Sequence, residues 1–136
     1  MRPRVCVDFD GVLHLSENYR SPDRVDGDPV PGALGWLERM QERYEVVVLS
    51  TRAESVAGRV AIERWLVAHG PFGGVRTTCV KVPALLYVDD RGWRFTGSNF
   101  PSPDDVHRAL PWWKERDARG RLDVRASASA VGVLPE

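Results

Sequence analysis

The sequence predicts an α/β fold in which a mostly parallel central sheet is flanked by helices. The first observation is that strand-like apolar runs alternate with stretches of helical periodicity along most of the chain. The second is that these runs are unbroken and rich in β-branched residues, which is typical of strands covered on both faces. The length of 136 residues matches one domain of ordinary size.

Apolar runs predict the strands of this sheet. The first run covers residues 4–9, and the second ends at Leu49 after a row of valines. Short strands are expected within "VRTTCV" and "ALLYVDD", residues 75–80 and 84–90. The segment "GWRFTG", residues 92–97, is expected to add a further strand.

Helices are predicted between and after these strands, on both faces of the sheet. Pro31 suits the first position of a helix within residues 31–44, where apolar residues recur at helical spacing. A second helical stripe lies within residues 53–70. Ser102 is placed to cap a third helix, which Pro111 should end.

One domain is expected, and it covers residues 1–117. Residues 118–136 are small and weakly patterned, which predicts a flexible C-terminal tail rather than a second domain. The segment 14–29 is polar and rich in Pro, Gly, Asp and Ser, and it is predicted to be a loop.

Composition excludes several classes of protein. Nineteen basic residues balance nineteen acidic ones, so bulk charge indicates neither nucleic acid nor membrane as a partner. No stretch approaches membrane-spanning length, and the N-terminal apolar run is too short for a signal peptide. Cys6 and Cys79 are expected to be buried, unpaired thiols, which favours a cytoplasmic protein.

Three predicted strands end in residues that carry chemistry. The first ends in Asp8 and Asp10, the second in the triplet 50–52, "STR", and another in Asp89 and Asp90. Because sites in open α/β sheets form outside the carboxyl ends of the strands, these side chains should converge. An Asp-x-Asp-Gly string on its own is more often a simple turn, so the whole set carries the prediction.

Carboxylates gathered in one crevice repel each other and require a hard cation, and oxygen ligands suit Mg²⁺. Lysine supplies only two of the nineteen basic residues, and one of them, Lys81, precedes the last acidic strand. A metal among acids, with a hydroxyl and a lysine nearby, indicates phosphoryl transfer. Val12 and His14 break the pattern of a calcium loop, and a metal nuclease explains the hydroxyl and the lysine less well.

Four motifs in this order resemble the haloacid-dehalogenase-like superfamily of phosphohydrolases. The first is the Asp-x-Asp-Gly of residues 8–11 after an apolar strand, and the second is Ser50. The third is Lys81, and the fourth is the acid pair 89–90. The resemblance covers residues 4–96 and implies a single Rossmann-like domain.

The resemblance also implies roles for these residues. Asp8 would be the nucleophile and a Mg²⁺ ligand, and Asp10 the general acid/base whose carbonyl also contacts the metal. Ser50 would hydrogen-bond the phosphoryl group, with Thr51 as the alternative hydroxyl. The remaining roles are charge neutralisation by Lys81, with Arg52 as the alternative, metal binding by Asp89 and Asp90, and substrate binding by Gly11, Thr51, Arg52 and Arg91.

No cap domain is expected. The two places where relatives insert a cap hold only residues 12–30 and 53–80, and core elements fill the second. The chain therefore resembles the capless branch, which includes the phosphatase part of polynucleotide kinase-phosphatases and small phage and bacterial domains linked to RNA repair. An open site of this kind suits a large substrate end, or requires a partner subunit, such as a second copy of the chain, as its lid.

The expected function is Mg²⁺-dependent hydrolysis of phosphomonoesters through an aspartyl-phosphate, with nucleic-acid phosphate ends as the first substrate class. The alternatives are a phosphatase of small nucleotides or metabolites, and a non-catalytic module that binds phosphate ends. His14 is expected in a partly exposed loop. Trp93, Trp112 and Trp113 are expected to pack on the sheet, with base stacking as the alternative.

Overall fold

The computed structural model describes residues 2–16 and 19–114, so the predicted tail 118–136 lies outside the described residues. The strands are β1 (Arg4–Asp8), β2 (Glu45–Leu49), β3 (Arg76–Thr78) and β4 (Leu86–Val88). The helices are α1 (Ala33–Gln41), α2 (Val56–His69) and α3 (Pro103–Arg108), with a 3₁₀ turn at Thr51–Glu54.

The strands form one parallel sheet in the order β3-β2-β1-β4. In register, Val7 of β1 lies beside Val48 of β2 on one side and Val88 of β4 on the other. The α/β class and the parallel sheet are therefore confirmed. Because β1 is central, its carboxyl end is flanked by the carboxyl ends of β2 and β4.

One face of the sheet carries the main hydrophobic core. Val7 and Val48 point to this face, and both are fully buried together with Leu37 of α1 and Ile62 of α2. Side chains alternate between the faces of a strand, so α1 and α2 cover the same face. The prediction of helices on both faces is therefore not confirmed for the part of the chain that the structure describes. The remaining helix, α3, buries no residue.

Three local predictions differ from the structure. Residues 92–97 form no strand. Helix α1 begins at Ala33 rather than at Pro31, because Gly32 adopts φ +85° and serves as its N-cap. Cys6 is buried and free as expected, but Cys79 is exposed. Within the described residues, every helix is too short or too polar to cross a bilayer.

Candidate active site

Three carboxylates meet at the carboxyl edge of the sheet. Asp8 is the last residue of β1, and Asp89 and Asp90 directly follow β4, the strand beside it. One oxygen from each of the three lies within 4.8 Å of the others. The parallel pairing of β1 with β4 produces this convergence, since it brings the two strand ends to the same level.

The electrostatics of the cluster suit a hard cation. Burial, a hydrogen bond to Asp90 and the charges of Asp89 and Asp90 raise the pKa of Asp8 to about 9. Asp90 Oδ1 is buried without a hydrogen-bond partner among the described residues. A proton held between crowded carboxylates and an orphaned carboxylate oxygen are both features that a divalent cation would relieve, so the donor set fits Mg²⁺.

Two tryptophans from the end of the described chain close one side of the cluster. Trp113 Nε1 donates a hydrogen bond of 2.6 Å to Asp90 Oδ2, and Trp112 Nε1 donates one to the carbonyl of Gly11. Gly11 has φ +83°, and a Cβ there would lie against the Asp90 carboxylate and 2.6 Å from Trp113 Nε1. Glycine is therefore required at this position both for its backbone conformation and for space.

Asp10 lies outside the three-acid cluster and forms a partly buried ion pair with Arg52. Its two oxygens accept hydrogen bonds of 2.7 Å from Arg52 Nε and 3.0 Å from Arg52 Nη2. Its Oδ1 is also 3.0 Å from His14 Nδ1. Burial alone would raise the pKa of Asp10, but the hydrogen bonds from His14 and Arg52 and their charges lower it overall. Asp10 is thus held as a carboxylate.

Arg52 connects this ion pair to the loop 12–30. Its Nη1 donates to the carbonyls of Ser21, Pro22 and Arg24 at 2.9 Å, 3.0 Å and 3.2 Å. Arg52 is 1% exposed, and most of its five N–H donors are used by Asp10 and by these carbonyls. Arg52 is therefore committed to the architecture of the loop, which weakens its case as the phosphate-neutralising group.

His14 anchors the same loop from the other side. Its Nε2 accepts a 2.9 Å hydrogen bond from the amide of Gly27, whose carbonyl accepts one from Trp65 Nε1. The His14 ring stacks on Phe9 with their centroids 4.9 Å apart. His14 is 2% exposed, so the prediction of a partly exposed loop histidine is wrong. The cause is a set of partners distant in sequence.

Ser50 and Thr51 follow β2 and differ in exposure. Ser50 is buried, and its Oγ accepts the 3.2 Å hydrogen bond of the Arg52 amide that caps the 3₁₀ turn. That bond uses only a lone pair, so the hydroxyl hydrogen of Ser50 stays available to a ligand. Thr51 is exposed. The choice between the two hydroxyls stays a prediction.

Lys81 and Arg91 lie at the surface. The Lys81 ammonium is 4.8 Å from the ring centroid of Tyr87, and among the described residues it forms no ion pair with Asp8. The amide of Arg91 donates to Asp89 Oδ1 at 2.7 Å, and its guanidinium lies over Trp113. Arg91 is therefore beside the cluster, whereas the structure does not bring Lys81 to Asp8.

Sequence reasoning missed the roles of Arg52, His14 and the tryptophan pair. The contact between Trp112 and Gly11 spans 101 residues, and no local signal marks it. Pro111 predicts the end of the preceding helix, and α3 does end before it, at Arg108, but this does not indicate a contact with the acid cluster. Comparison of the chain with protein-family models, with curated proteins and with solved structures finds no match.

Proposed function

We propose that the chain is a Mg²⁺-dependent phosphomonoester hydrolase of the haloacid-dehalogenase type, without a cap domain. The observation that carries the proposal is the meeting of Asp8, Asp89 and Asp90 at the carboxyl ends of two paired parallel strands. A metal-nuclease reading would explain the acids, but it gives no role to a buried hydroxyl at the end of β2.

In this proposal Asp8 is the nucleophile. Its carboxylate attacks phosphorus, the bond between phosphorus and the ester oxygen breaks, and the leaving oxygen takes a proton from the protonated carboxyl group of Asp10 to become an alcohol. Water then attacks the phosphorus of the aspartyl-phosphate, which returns Asp8 and releases inorganic phosphate. Mg²⁺, when bound by Asp8, Asp89 and Asp90, would supply the positive charge that keeps Asp8 ionised and that neutralises the phosphoryl oxygens.

Asp10 serves best as the base that takes a proton from the attacking water. Its lowered pKa keeps it ionised, and its hydrogen bonds to Arg52 and His14 fix its orientation. To protonate the leaving group, Asp10 must first acquire a proton, which requires its ion pair with Arg52 to loosen. Ser50 donates a hydrogen bond to a phosphoryl oxygen. The Lys81 side chain lies over Tyr87 and must move to reach the phosphoryl group.

A non-catalytic module that binds phosphate ends is the second candidate. The specific observation in its favour is that Asp10 is locked in an ion pair while Lys81 lies away from Asp8. In such a module the acid cluster would hold Mg²⁺ and a phosphate group without turnover.

A phosphatase without a cap domain has an open site, and the loop 12–30 and the segment after Asp90 are then expected to select the substrate. An open site suits a large substrate, so we propose a nucleic-acid phosphate end. Alternatively, a partner subunit, such as a second copy of the chain, covers the site as a lid. Two unpaired cysteines suit a reducing compartment, and we propose the cytoplasm.

The test is release of inorganic phosphate from an aryl phosphate, with Mg²⁺ and with a chelator. The wild-type chain should release phosphate only with Mg²⁺, and Asp8→Asn should lower the rate more than about a thousandfold. Glu38→Gln, an acid-to-amide change at an exposed helix position, is the matched control and should retain full activity. Binding of the phosphate ester without turnover would favour the module, and equal activity of Asp8→Asn would overturn the mechanism.

A further inference from the structure

The exposed tryptophan at the rim of the acid cluster points to the chemistry of the substrate. We propose that Trp112 is a stacking surface for a nucleobase, so that the substrate is a phosphorylated nucleoside, either free or at the end of an oligonucleotide. This inference rests on the proposed function, because it places the phosphate of the same molecule at Asp8.

Trp112 combines a fixed position with an open ring. Its indole N–H is bound to the carbonyl of Gly11, in the backbone turn that directly follows the Asp8–Asp10 motif. The side chain is nevertheless 58% exposed. A large aromatic ring that is anchored at one edge and open to water is preorganised to stack a flat partner, since little conformational freedom remains to be lost.

Trp113, the next residue, is bound to the acid cluster itself. Its N–H is bound to Asp90 Oδ2 at 2.6 Å, and Asp90 shares the cluster with Asp8. The segment 112–113 is therefore attached to the site at two points, the backbone of Gly11 and the carboxylate of Asp90. In this proposal the group next to the phosphate extends past this segment and stacks on Trp112.

The charge around the tryptophan pair suits a phosphorylated base. The Arg91 guanidinium lies 5.4 Å and the Lys114 ammonium 5.5 Å from the ring centroid of Trp113. These cations offset part of the negative charge of three carboxylates and of an incoming phosphate. Since the chain has a formal net charge of zero, stacking rather than bulk attraction has to supply the affinity for the nucleoside.

Trp93 is a weaker candidate for the same role, although it is 49% exposed. Its indole N–H is bound to the carbonyl of Asn99, within a surface turn of its own segment. Trp112 is instead bound to the backbone of the first motif, which ties its position to the site.

The experiment compares two substitutions that both remove the indole N–H. Trp112→Phe keeps an aromatic ring, whereas Trp112→Leu keeps only apolar bulk. The probes are adenosine monophosphate, an oligonucleotide with a terminal phosphate, and glycerol phosphate, which has no ring. Because both variants lose the bond to Gly11, the ratio between them isolates the ring. With Mg²⁺ present, KM for both base-containing probes should be about 5- to 150-fold higher in Trp112→Leu than in Trp112→Phe, whereas for glycerol phosphate the two variants should match each other.

An equal loss for all three probes, or no loss for any, would overturn the stacking role. The ratio between free nucleotide and oligonucleotide identifies the source of the base. Calorimetric binding of adenosine monophosphate and glycerol phosphate to Asp8→Asn separates this inference from the proposed function. If no probe is turned over by the wild-type chain, a preference for the nucleotide that Trp112→Leu abolishes still supports stacking, and its absence overturns it.

Discussion

Asp8 and Asp10 are two residues apart, yet the structure surrounds them with opposite charges. Asp8 faces two further carboxylates, which together with burial raise its pKa to about 9. Asp10 faces a guanidinium and an imidazole, which lower its pKa overall. The end of the strand explains the difference. Side chains two residues apart on a strand point in the same direction, but β1 ends at Asp8, so this rule does not apply to Asp10.

This contrast predicts different metal affinities for two amide variants. Asp89→Asn should weaken Mg²⁺ binding about 10- to 100-fold, because Asp89 contributes a carboxylate oxygen to the three-acid cluster. Asp10→Asn should weaken it far less, since its side chain is bound by Arg52 rather than turned to that cluster. Calorimetric titration of Mg²⁺ into each folded variant measures both constants. Equal losses would show that the side chain of Asp10 is itself a ligand.

Gly11 offers a second test at the scale of one residue. Gly11→Ala and Gly32→Ala both place a methyl group on a backbone with φ near +85°, so both should lose about 1 kcal/mol of unfolding free energy. Only at Gly11 does the new Cβ meet Asp90 and Trp113, whereas at Gly32 nothing lies within 4 Å. Gly11→Ala should therefore lose a further 1–3 kcal/mol or so and also lose Mg²⁺ affinity. Urea unfolding of both variants gives the comparison, and matching losses would argue against close packing of the tryptophan pair on the acid cluster.

The loop 12–30 is held by contacts from elsewhere in the chain. Its described residues, 12–16 and 19–30, contain no helix or strand, and the loop backbone is bound by Arg52 from the 3₁₀ turn and by Trp65 from α2. Within the loop, Leu15 donates to the carbonyl of Asp28 at 2.8 Å, and Gly27 donates to His14. The loop is thus closed on itself and then fixed to the core.

Arg52→Lys should open this loop without changing formal charge. Lysine has three donors on one nitrogen and cannot bind Asp10 and the loop carbonyls together. We expect a loss of about 3–5 kcal/mol in unfolding free energy and faster hydrogen exchange at the amides of Leu15 and Gly27. Arg59→Lys is the control, since Arg59 is half-exposed and pairs only with Glu63 in the contacts described. Exchange at the two amides as slow as in wild type would contradict the anchoring role of Arg52.

The elements differ in how far the sequence could predict them. The three valines in β2 are all buried. A continuous run of β-branched residues is typical of a strand covered on both faces, so this strand could be predicted from the sequence. Residues 92–97 have the alternation of a strand, but the side chain of Asn99 binds the Arg94 carbonyl and the Thr96 amide. A local bond of this kind competes with strand pairing, and the apolar pattern carries no trace of it.

At the scale of the whole molecule, the fold places three carboxylates that repel one another at one edge of the sheet. The three acids converge because two parallel strands end at the same level, and this placement could be predicted from the order of the motifs. The partners of each acid could not, since Arg52 is 42 residues from Asp10 and Trp113 is 23 residues from Asp90. Such contacts depend on tertiary packing rather than on a local pattern.

The repulsion among these three carboxylates predicts how the free energy of unfolding changes with pH. The folded-state pKa of Asp8 is about 9, above its ordinary value near 3.8, so the stability that its proton confers is complete below pH 4 and is lost as pH rises towards 9. Asp8→Asn removes this titration. Without metal, the variant should be about 1–3 kcal/mol more stable than wild type at pH 8, with no advantage at pH 4.

Urea unfolding at the two pH values measures this difference, and Glu38→Gln serves as an exposed control with no expected pH effect. Saturating Mg²⁺ should raise the stability of wild type at pH 8 and do much less for Asp8→Asn. An Asp8→Asn variant that is less stable than wild type at pH 8 would show that the carboxylates are not crowded.

The bonds from Arg52 to the loop have a consequence for how this protein can change over time. Arg52 holds residues 21, 22 and 24 through their carbonyl oxygens, which any amino acid would provide. The bonds that fix the path of the chain beside Asp10 therefore do not depend on which side chains this stretch carries. During evolution, loop side chains could change one at a time, and substrate specificity with them, without disturbing the acid cluster. The buried Arg52 fixes the backbone of the loop, and the loop side chains are left to determine specificity.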